Sequence, residues 1–191
     1  ALWLMPREGG SGIGRRIALV VAITWLPLVV YALWQRRLLP GTVNEPLLQH
    51  FGVHARLLLA LPLLIVAEAT TRASLRVSLP QFLSRGLIGD AELPAFRAIL
   101  ERASRLRASR IALLAMVALA VLASAIGWSN AGELHELAWD ATPGESGFHF
   151  GIFWFSFVSR PLFQLALLAW VWRLGVVGWA FARIARLDLA L

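Results

Sequence analysis

Long apolar runs, separated by arginine-rich or acidic stretches, are the main pattern along this chain. The four longest cover residues 17–34, 53–71, 111–128 and 152–173. An α-helix rises about 1.5 Å per residue, so about 20 apolar residues cross the ~30 Å hydrocarbon core of a bilayer. The runs lack the alternation of barrel strands, and inside lipid only helices or closed barrels satisfy their own backbone. The sequence therefore predicts an all-α, polytopic integral membrane helix bundle with four transmembrane helices.

The second and third runs differ in regularity. Residues 53–71 are interrupted by Pro62 and carry Glu68 near their end, yet we interpret them as a span. The third run has no proline and is rich in small residues. In it, Ala120 and Ser124 form a small-xxx-small pair, which lets helix backbones approach closely in lipid.

The fourth run begins near Phe148 and stays apolar almost to the end of the chain, which is too long for one level span. We expect a span over residues 152–173, followed by a separate interfacial or cytoplasmic helix that carries Arg183 and Arg186. This chain begins with Ala and ends within a helical pattern, so we also expect it to be part of a longer protein.

Loop charge predicts the orientation, because cytoplasmic loops of membrane proteins are enriched in Lys and Arg. Residues 72–110 contain eight arginines, whereas residues 129–147 contain four acidic residues and no basic one. The prediction is a cytoplasmic 72–110 segment, outer loops at 35–52 and 129–147, and both termini in the cytoplasm of a bacterium with the protein in its inner membrane. Arg36 and Arg37 lie in a predicted outer loop, contrary to this rule.

The cytoplasmic segment 72–110 is predicted to be a hairpin of two long helical extensions. Its second half carries apolar residues at helical spacing, and no breaker follows Pro94, which predicts one continuous helix from about residue 91 to 128. The first half is expected to continue the second span as far as Pro80 or Gly86. The apolar stripe of the second half needs a partner, which is the other extension, a second copy or the lipid surface.

Composition narrows the classes of function. The chain is 59% hydrophobic with a mean hydropathy of +0.70, and its net charge of +7 comes from arginines that flank the apolar runs. We attribute these charges to membrane topology and lipid contact and expect no nucleic-acid partner. There is no cysteine, so disulfides are excluded, and the glycine-rich start lacks a P-loop ending. No cofactor and no internal repeat are predicted.

Arg160 is a charged residue in the middle of the fourth apolar run, where a charge costs at least ~2.5–3.5 kcal/mol. Ser156 and Gln164 lie four residues before and after it, so the three share one helix face. Three interpretations are open: a structural pair between Arg160 and Glu68 of the second span, a polar stripe that lines a pore or substrate path, or an interfacial arginine in a span that begins at Pro161.

All four histidines fall in or beside the predicted outer loops, and they are His50, His54, His135 and His149. The i, i+4 spacing of His50 and His54 is able to place two imidazoles on one metal ion. Nearby carboxylates in the 129–147 loop, from Glu133, Glu136 and Asp140, are candidate oxygen ligands. No nucleophile triad or H-E-x-x-H motif is present, so no catalytic residue is predicted and an enzyme is the least favoured class.

The C-terminal segment WVWRLGVVGWAFARIARLDLAL resembles part of an uncharacterised family of multi-span bacterial inner-membrane proteins. The similarity is carried by the tryptophan–arginine spacing and the RLDL ending. It implies that the chain continues into further spans, and it implies no activity.

The function predicted from these observations is a channel- or transporter-type assembly, oligomeric, that moves a small solute or ion along the stripe of Arg160, Ser156 and Gln164. The alternative is a membrane scaffold or assembly subunit that docks a partner through the third span and the 90–110 helix. An enzyme with a site of histidines and carboxylates on the outer face is the third class.

Overall fold

The structure is a computed structural model, and it describes residues 10–39, 46–84, 86, 88–89, 91–129, 139–140 and 148–187. The regular secondary structure of these residues is helical, which confirms the predicted all-α class. In this part of the chain, four helices are long and apolar enough to cross a membrane, and they cover Gly12–Trp34, Phe51–Ser84, Leu93–Ile126 and Phe150–Ile184.

The first long helix consists of α1 (Gly10–Thr24) and α2 (Leu26–Trp34), with an interruption at Trp25. The interruption precedes Pro27, whose ring and missing N–H disturb the preceding turn of a helix. The helix ends where Arg36 adopts a positive φ of 56°. The Arg37 N–H then reaches back to the carbonyl of Ala32 at 2.8 Å, which closes a Schellman turn.

The second long helix follows a 3₁₀ turn at Leu47–Gln49. It comprises α3 (Phe51–His54), a π-helical turn at Ala55–Ala60 and α4 (Leu61–Ser84). It passes through Pro80 and ends at Ser84, so the second long helix extends well beyond residue 71, as predicted.

The third long helix contains a break that the sequence analysis did not predict. Helix α5 covers Leu93–Arg107 and α6 covers Arg110–Ser129. Between them, the Ala112 N–H donates to Oγ of Ser109 at 3.3 Å, so the serine caps a new helix start. The prediction of one uninterrupted helix from 91 to 128 is therefore wrong at residues 108 and 109.

The fourth long helix comprises α7 (Phe150–Trp154), a π-helical turn at Phe155–Ser159 and α8 (Arg160–Ile184). It continues through residue 173, where the sequence analysis expected a separate helix to begin. The continuation is stabilised by one buried face, formed by Val176, Ala180 and Ile184 at helical spacing.

The second and fourth long helices share a sequence pattern and a helical irregularity. Residues 50–53 read HFGV and residues 149–152 read HFGI, and in both copies a Pro-Leu pair begins eleven residues after the Phe. Both prolines, Pro62 and Pro161, follow a π-helical turn that contains the residue four positions earlier. Because a proline ring clashes with that residue's carbonyl, widening the preceding turn relieves the clash. These two segments thus share a short pattern that the sequence analysis did not note.

The chain divides into two compact units, residues 1–66 with 119–166, and residues 67–118 with 167–191. The core of the first unit brings the first, second and fourth long helices together, and it is formed by Leu28, Ala32, Leu47, Val53, Leu57, Trp139, Ile152 and Phe155. The core of the second unit is formed by Ile88, Phe96 and Ile184. The apolar stripe of α5 therefore packs within the chain, against residues that include Leu79 and Phe82 of α4.

Candidate functional site

The predicted polar stripe lies in the first unit, where the π-helical turn of Phe155–Ser159 meets the start of α8. Ser156 is fully buried, and Arg160 and Gln164 are partly buried. Within the described part of the chain, Ser156 Oγ and Gln164 Oε1 are buried atoms without a hydrogen-bond partner. The Arg160 guanidinium makes no ion pair with a described residue of the first unit. The structure thus brings the three residues together on one face and leaves their polar groups unmatched.

In contrast, two polar side chains beside the stripe donate hydrogen bonds to backbone carbonyls of the first long helix. Trp154 donates its indole N–H to the carbonyl of Ile23 at 3.0 Å, and Ser159 donates its hydroxyl to the carbonyl of Thr24 at 2.6 Å. Pro27 has no N–H to offer the Ile23 carbonyl four residues earlier, so the indole takes that role. These two bonds fix the fourth helix on the first and hold the stripe in place.

A second arginine near the stripe was missed by the sequence analysis. Arg56 lies in the π-helical turn of the second long helix, and its guanidinium carbon is 5.9 Å from the ring centre of Phe163. Phe163 precedes Gln164 directly, so a second positive charge approaches the same helix. The available signal was the position of Arg56 inside an apolar stretch, which marks a residue with a partner or a function.

Glu68 lies in the second unit, on α4, and its carboxylate forms ion pairs with Arg72 and Arg173. Arg72 is one turn further along the same helix, and Arg173 reaches over from α8. Glu68 and Arg160 belong to different units, so the predicted pair between them stays a prediction. Arg173 is a carboxylate partner that the sequence analysis did not name, although it is the other arginine within the fourth apolar run.

Asp140 performs a structural role that the sequence analysis did not foresee. It is 1% exposed, its Oδ2 accepts the N–H of Ile152 at 3.1 Å, and it thereby caps the start of the fourth long helix. Arg37 and His149 approach its Oδ1 at 3.9 and 4.0 Å. Burial raises the pKa of the Asp140 carboxyl, while the Ile152 hydrogen bond and the interactions with His149 and Arg37 act to lower it.

The pairing of Arg37 with Asp140 also accounts for one of the two arginines on the predicted outer side. Arg37 donates to the Asp140 carbonyl oxygen at 3.2 Å, in addition to facing the carboxylate. A residue that joins the end of α2 to the start of α7 has a structural reason for its position. The position of Arg37 on the predicted outer side therefore has a structural reason that is independent of the distribution of charge between loops.

The predicted metal-site histidines are dispersed over different roles. His54 uses both ring nitrogens: Nδ1 accepts the Trp25 indole N–H at 3.0 Å, and Nε2 lies 3.0 Å from the Leu47 carbonyl oxygen. Because an indole N–H only donates, Nδ1 accepts from Trp25, and Nε2 is the ring nitrogen placed to donate to the Leu47 carbonyl. His50 is buried and His149 faces Asp140, while His135, Glu133 and Glu136 lie outside the described residues. Among the residues that the structure describes, no group of three or more such ligands is placed together.

Comparison of the chain with family models, with curated proteins and with solved structures finds no match. The resemblance of the C-terminal segment to a family of multi-span bacterial inner-membrane proteins therefore stays a prediction.

Proposed function

We propose that the chain is an integral protein of the bacterial inner membrane and belongs to the transport class. In this proposal, the stripe of Ser156, Arg160 and Gln164 lines a path for a small polar or anionic solute. The length and hydropathy of the four long helices support the membrane setting. Both termini are proposed to lie in the cytoplasm, following the charge of the segments between the helices.

One observation carries the proposal: Ser156 Oγ and Gln164 Oε1 are buried and have no hydrogen-bond partner among the described residues, whereas Trp154 and Ser159 beside them have partners. Leaving a buried polar group without a hydrogen bond costs about 1–3 kcal/mol, so such groups usually meet water, a ligand or another chain. Ser156 and Gln164 share their face with a guanidinium, and a guanidinium favours an anion among solutes. A polar face of this kind supports a wet path better than a purely structural contact.

An oligomer is part of this proposal. A single stripe lines only one side of a path, and a symmetric second copy supplies the same stripe from the opposite side. The partners that we propose are therefore the lipid bilayer and further copies of this chain.

The alternative, a scaffold or assembly subunit, has less support because the chain itself covers the two surfaces predicted for docking. Ala120 and Ser124 of α6 are 1% and 2% exposed, so the small-residue face is buried within the chain. Phe96 of α5 is 1% exposed and packs with Ile88 and Ile184. Neither face is open to a partner in this conformation.

The test is ion flux in proteoliposomes, with chloride and potassium as the measured ions. The native protein is expected to pass chloride, and Arg160→Gln to lower chloride flux about tenfold, as for a barrier raised by ~1.4 kcal/mol. Arg160→Lys should retain part of the flux because the charge remains. Arg183→Gln is the matched control: it removes one exposed arginine from the end of α8 and should leave flux unchanged.

Ser156→Ala separates a path-lining role from a structural one. Its Oγ has no partner in the described residues, so its removal should not lower the unfolding temperature, but it should alter chloride flux. The transport proposal is overturned if the native protein passes no ion above empty liposomes. It is also overturned if Arg160→Gln and Arg183→Gln have the same flux as the native protein.

A further inference from the structure

Three arginines gather around one carboxylate in the second unit. Glu68 is paired with Arg72 of its own helix and with Arg173 of α8. Arg107, at the end of α5, interacts electrostatically with Arg72, Arg173 and Glu68. Each of the three helices thus contributes one guanidinium. We call Glu68, Arg72, Arg107 and Arg173 the arginine cluster.

The arginine cluster is held in place by a contact between two of its helices. Trp172, the residue before Arg173, donates its indole N–H to the carbonyl of Leu106 at 3.3 Å. Leu106 precedes Arg107 directly. This single hydrogen bond therefore ties the end of α5 to α8 and keeps the Arg107 and Arg173 backbones near each other.

Charges and donors in the arginine cluster exceed the available acceptors. Two guanidiniums pair with the single carboxylate, and Arg107 adds a third positive charge within electrostatic range, which leaves two positive charges unbalanced among the described residues. Arg72 Nε and the nearby Trp170 Nε1 are buried donors without a hydrogen-bond partner in the part of the chain that the structure describes. What the cluster lacks is therefore a group that carries negative charge and several acceptor oxygens.

We propose that the arginine cluster binds a phosphate group, supplied by the headgroup of an anionic phospholipid. Phosphate oxygens accept paired hydrogen bonds from several guanidiniums at once, and a negative charge offsets the excess. The cluster adjoins the arginine-rich 72–110 segment, which is predicted to be cytoplasmic. Basic sites between helices on that side of a membrane bind lipid headgroups. The site uses none of the residues of the Arg160 stripe and does not depend on transport.

Lipid binding to purified protein in neutral detergent tests the proposal. The readout is the shift of the thermal unfolding midpoint, followed by tryptophan fluorescence, on titration with short-chain phosphatidylglycerol or phosphatidylcholine. The native protein is expected to be stabilised by phosphatidylglycerol and not by phosphatidylcholine. A parallel titration with inorganic phosphate distinguishes the source: a shift as large as that of the lipid identifies free phosphate as sufficient, and a smaller one identifies the lipid.

Three variants test whether the lipid binds at the arginine cluster. Arg107→Gln should weaken the apparent affinity for phosphatidylglycerol about tenfold, since one charge-assisted contact is lost. Arg105→Gln is the control, because Arg105 is on the same helix, is exposed and pairs with Glu101 at 3.6 Å. Glu68→Gln should strengthen lipid binding, because it removes the carboxylate that competes for the guanidiniums.

The opposite response to Glu68→Gln and Arg107→Gln is the decisive result. A cluster that serves only to join helices would lose stability in both variants and show no difference between the two lipids. Equal stabilisation by both lipids, equal effects of Arg107→Gln and Arg105→Gln, or weaker lipid binding in Glu68→Gln would each overturn the proposal. Because Arg107 is exposed, its substitution should leave folding intact.

Discussion

Gly151 is the residue whose identity the structure constrains most tightly. A Cβ at this position would lie 2.6 Å from Cζ2 of Trp139 and 2.8 Å from Oδ2 of Asp140. Trp139 and Asp140 are 3% and 1% exposed, and Asp140 also caps the helix, so neither side chain has room to move away. The glycine in the repeated HFG pattern thus allows the helix start to approach the capping residue.

We expect Gly151→Ala to lower the free energy of unfolding by about 2 kcal/mol, as for other overpacked sites. Gly178→Ala is the matched control, since it also lies in a long helix and its added Cβ would meet no atom within 4 Å. There the change should be neutral or stabilising by about 0.5–1 kcal/mol, because glycine weakens helices. Thermal unfolding in detergent measures the stability of both variants. Equal changes in stability would show that Trp139 and Asp140 leave enough space for a Cβ at residue 151.

Individual residues were predictable where their environment along the chain was unusual. Glu68 and Arg160 stand out as charges within apolar runs. Ser109 directly precedes the arginine and apolar run of α6, and the sequence analysis overlooked this signal of a helix cap. The cap of Asp140 on the fourth helix was not predictable, because it joins residues that are twelve positions apart in the chain. The same holds for Arg173, whose pairing with Glu68 depends on which helices are neighbours.

At the level of elements, the four apolar helices follow from hydropathy, but their prolines have consequences that hydropathy does not show. Pro62 interrupts the second apolar run, which was nevertheless interpreted as a span, and the helix does continue after a π-helical turn. Pro161 has the same effect in the fourth helix. A proline indicates only that a backbone bond is missing, and the packing of neighbouring helices determines whether the chain widens, bends or stops.

The indole N–H of Trp154 replaces the backbone N–H that Pro27 lacks as a donor to the Ile23 carbonyl. A double-mutant cycle measures the coupling between Trp154 and Pro27. Trp154→Phe alone should lower the free energy of unfolding by about 1 kcal/mol, because the Ile23 carbonyl loses its partner. In a Pro27→Ala background, the new Ala N–H bonds that carbonyl, so Trp154→Phe should cost much less. The quantity measured is the coupling between the two changes.

The control for this cycle is Trp34→Phe in both backgrounds. Trp34 is 84% exposed and lies on the same long helix as Pro27, so its cost should not depend on residue 27. Additive costs for Trp154→Phe and Pro27→Ala would contradict the proposed role of the indole.

At the level of the whole molecule, the number of long helices was predicted, whereas the pattern shared by two of them was overlooked although the sequence contains it. Segments 50–64 and 149–163 share five of fifteen residues, namely His, Phe, Gly, Pro and Leu at equivalent positions. The apolar residues between them differ freely, since any large apolar side chain fills such positions. Both copies keep the helix start, the glycine and the proline, and in both a π-helical turn precedes the proline.

The orientation of the whole chain is open to a direct test, because it contains no cysteine and any introduced thiol is unique. Gln49→Cys lies in a predicted outer loop and Ser104→Cys in the predicted cytoplasmic segment, and both native side chains are exposed. A membrane-impermeant maleimide should label Gln49→Cys in intact spheroplasts and Ser104→Cys only after lysis.

The result also bears on the arginine cluster and on the Arg36–Arg37 pair. Labelling of Ser104→Cys from outside would invert the orientation and place the arginine-rich segment against the outer leaflet, contrary to the usual distribution of positive charge. Labelling as expected would leave Arg36 and Arg37 outside. Because Arg37 binds Asp140, Arg37→Gln should then destabilise the protein without changing the labelling of either cysteine. A change in labelling would instead mean that Arg37 acts on topology.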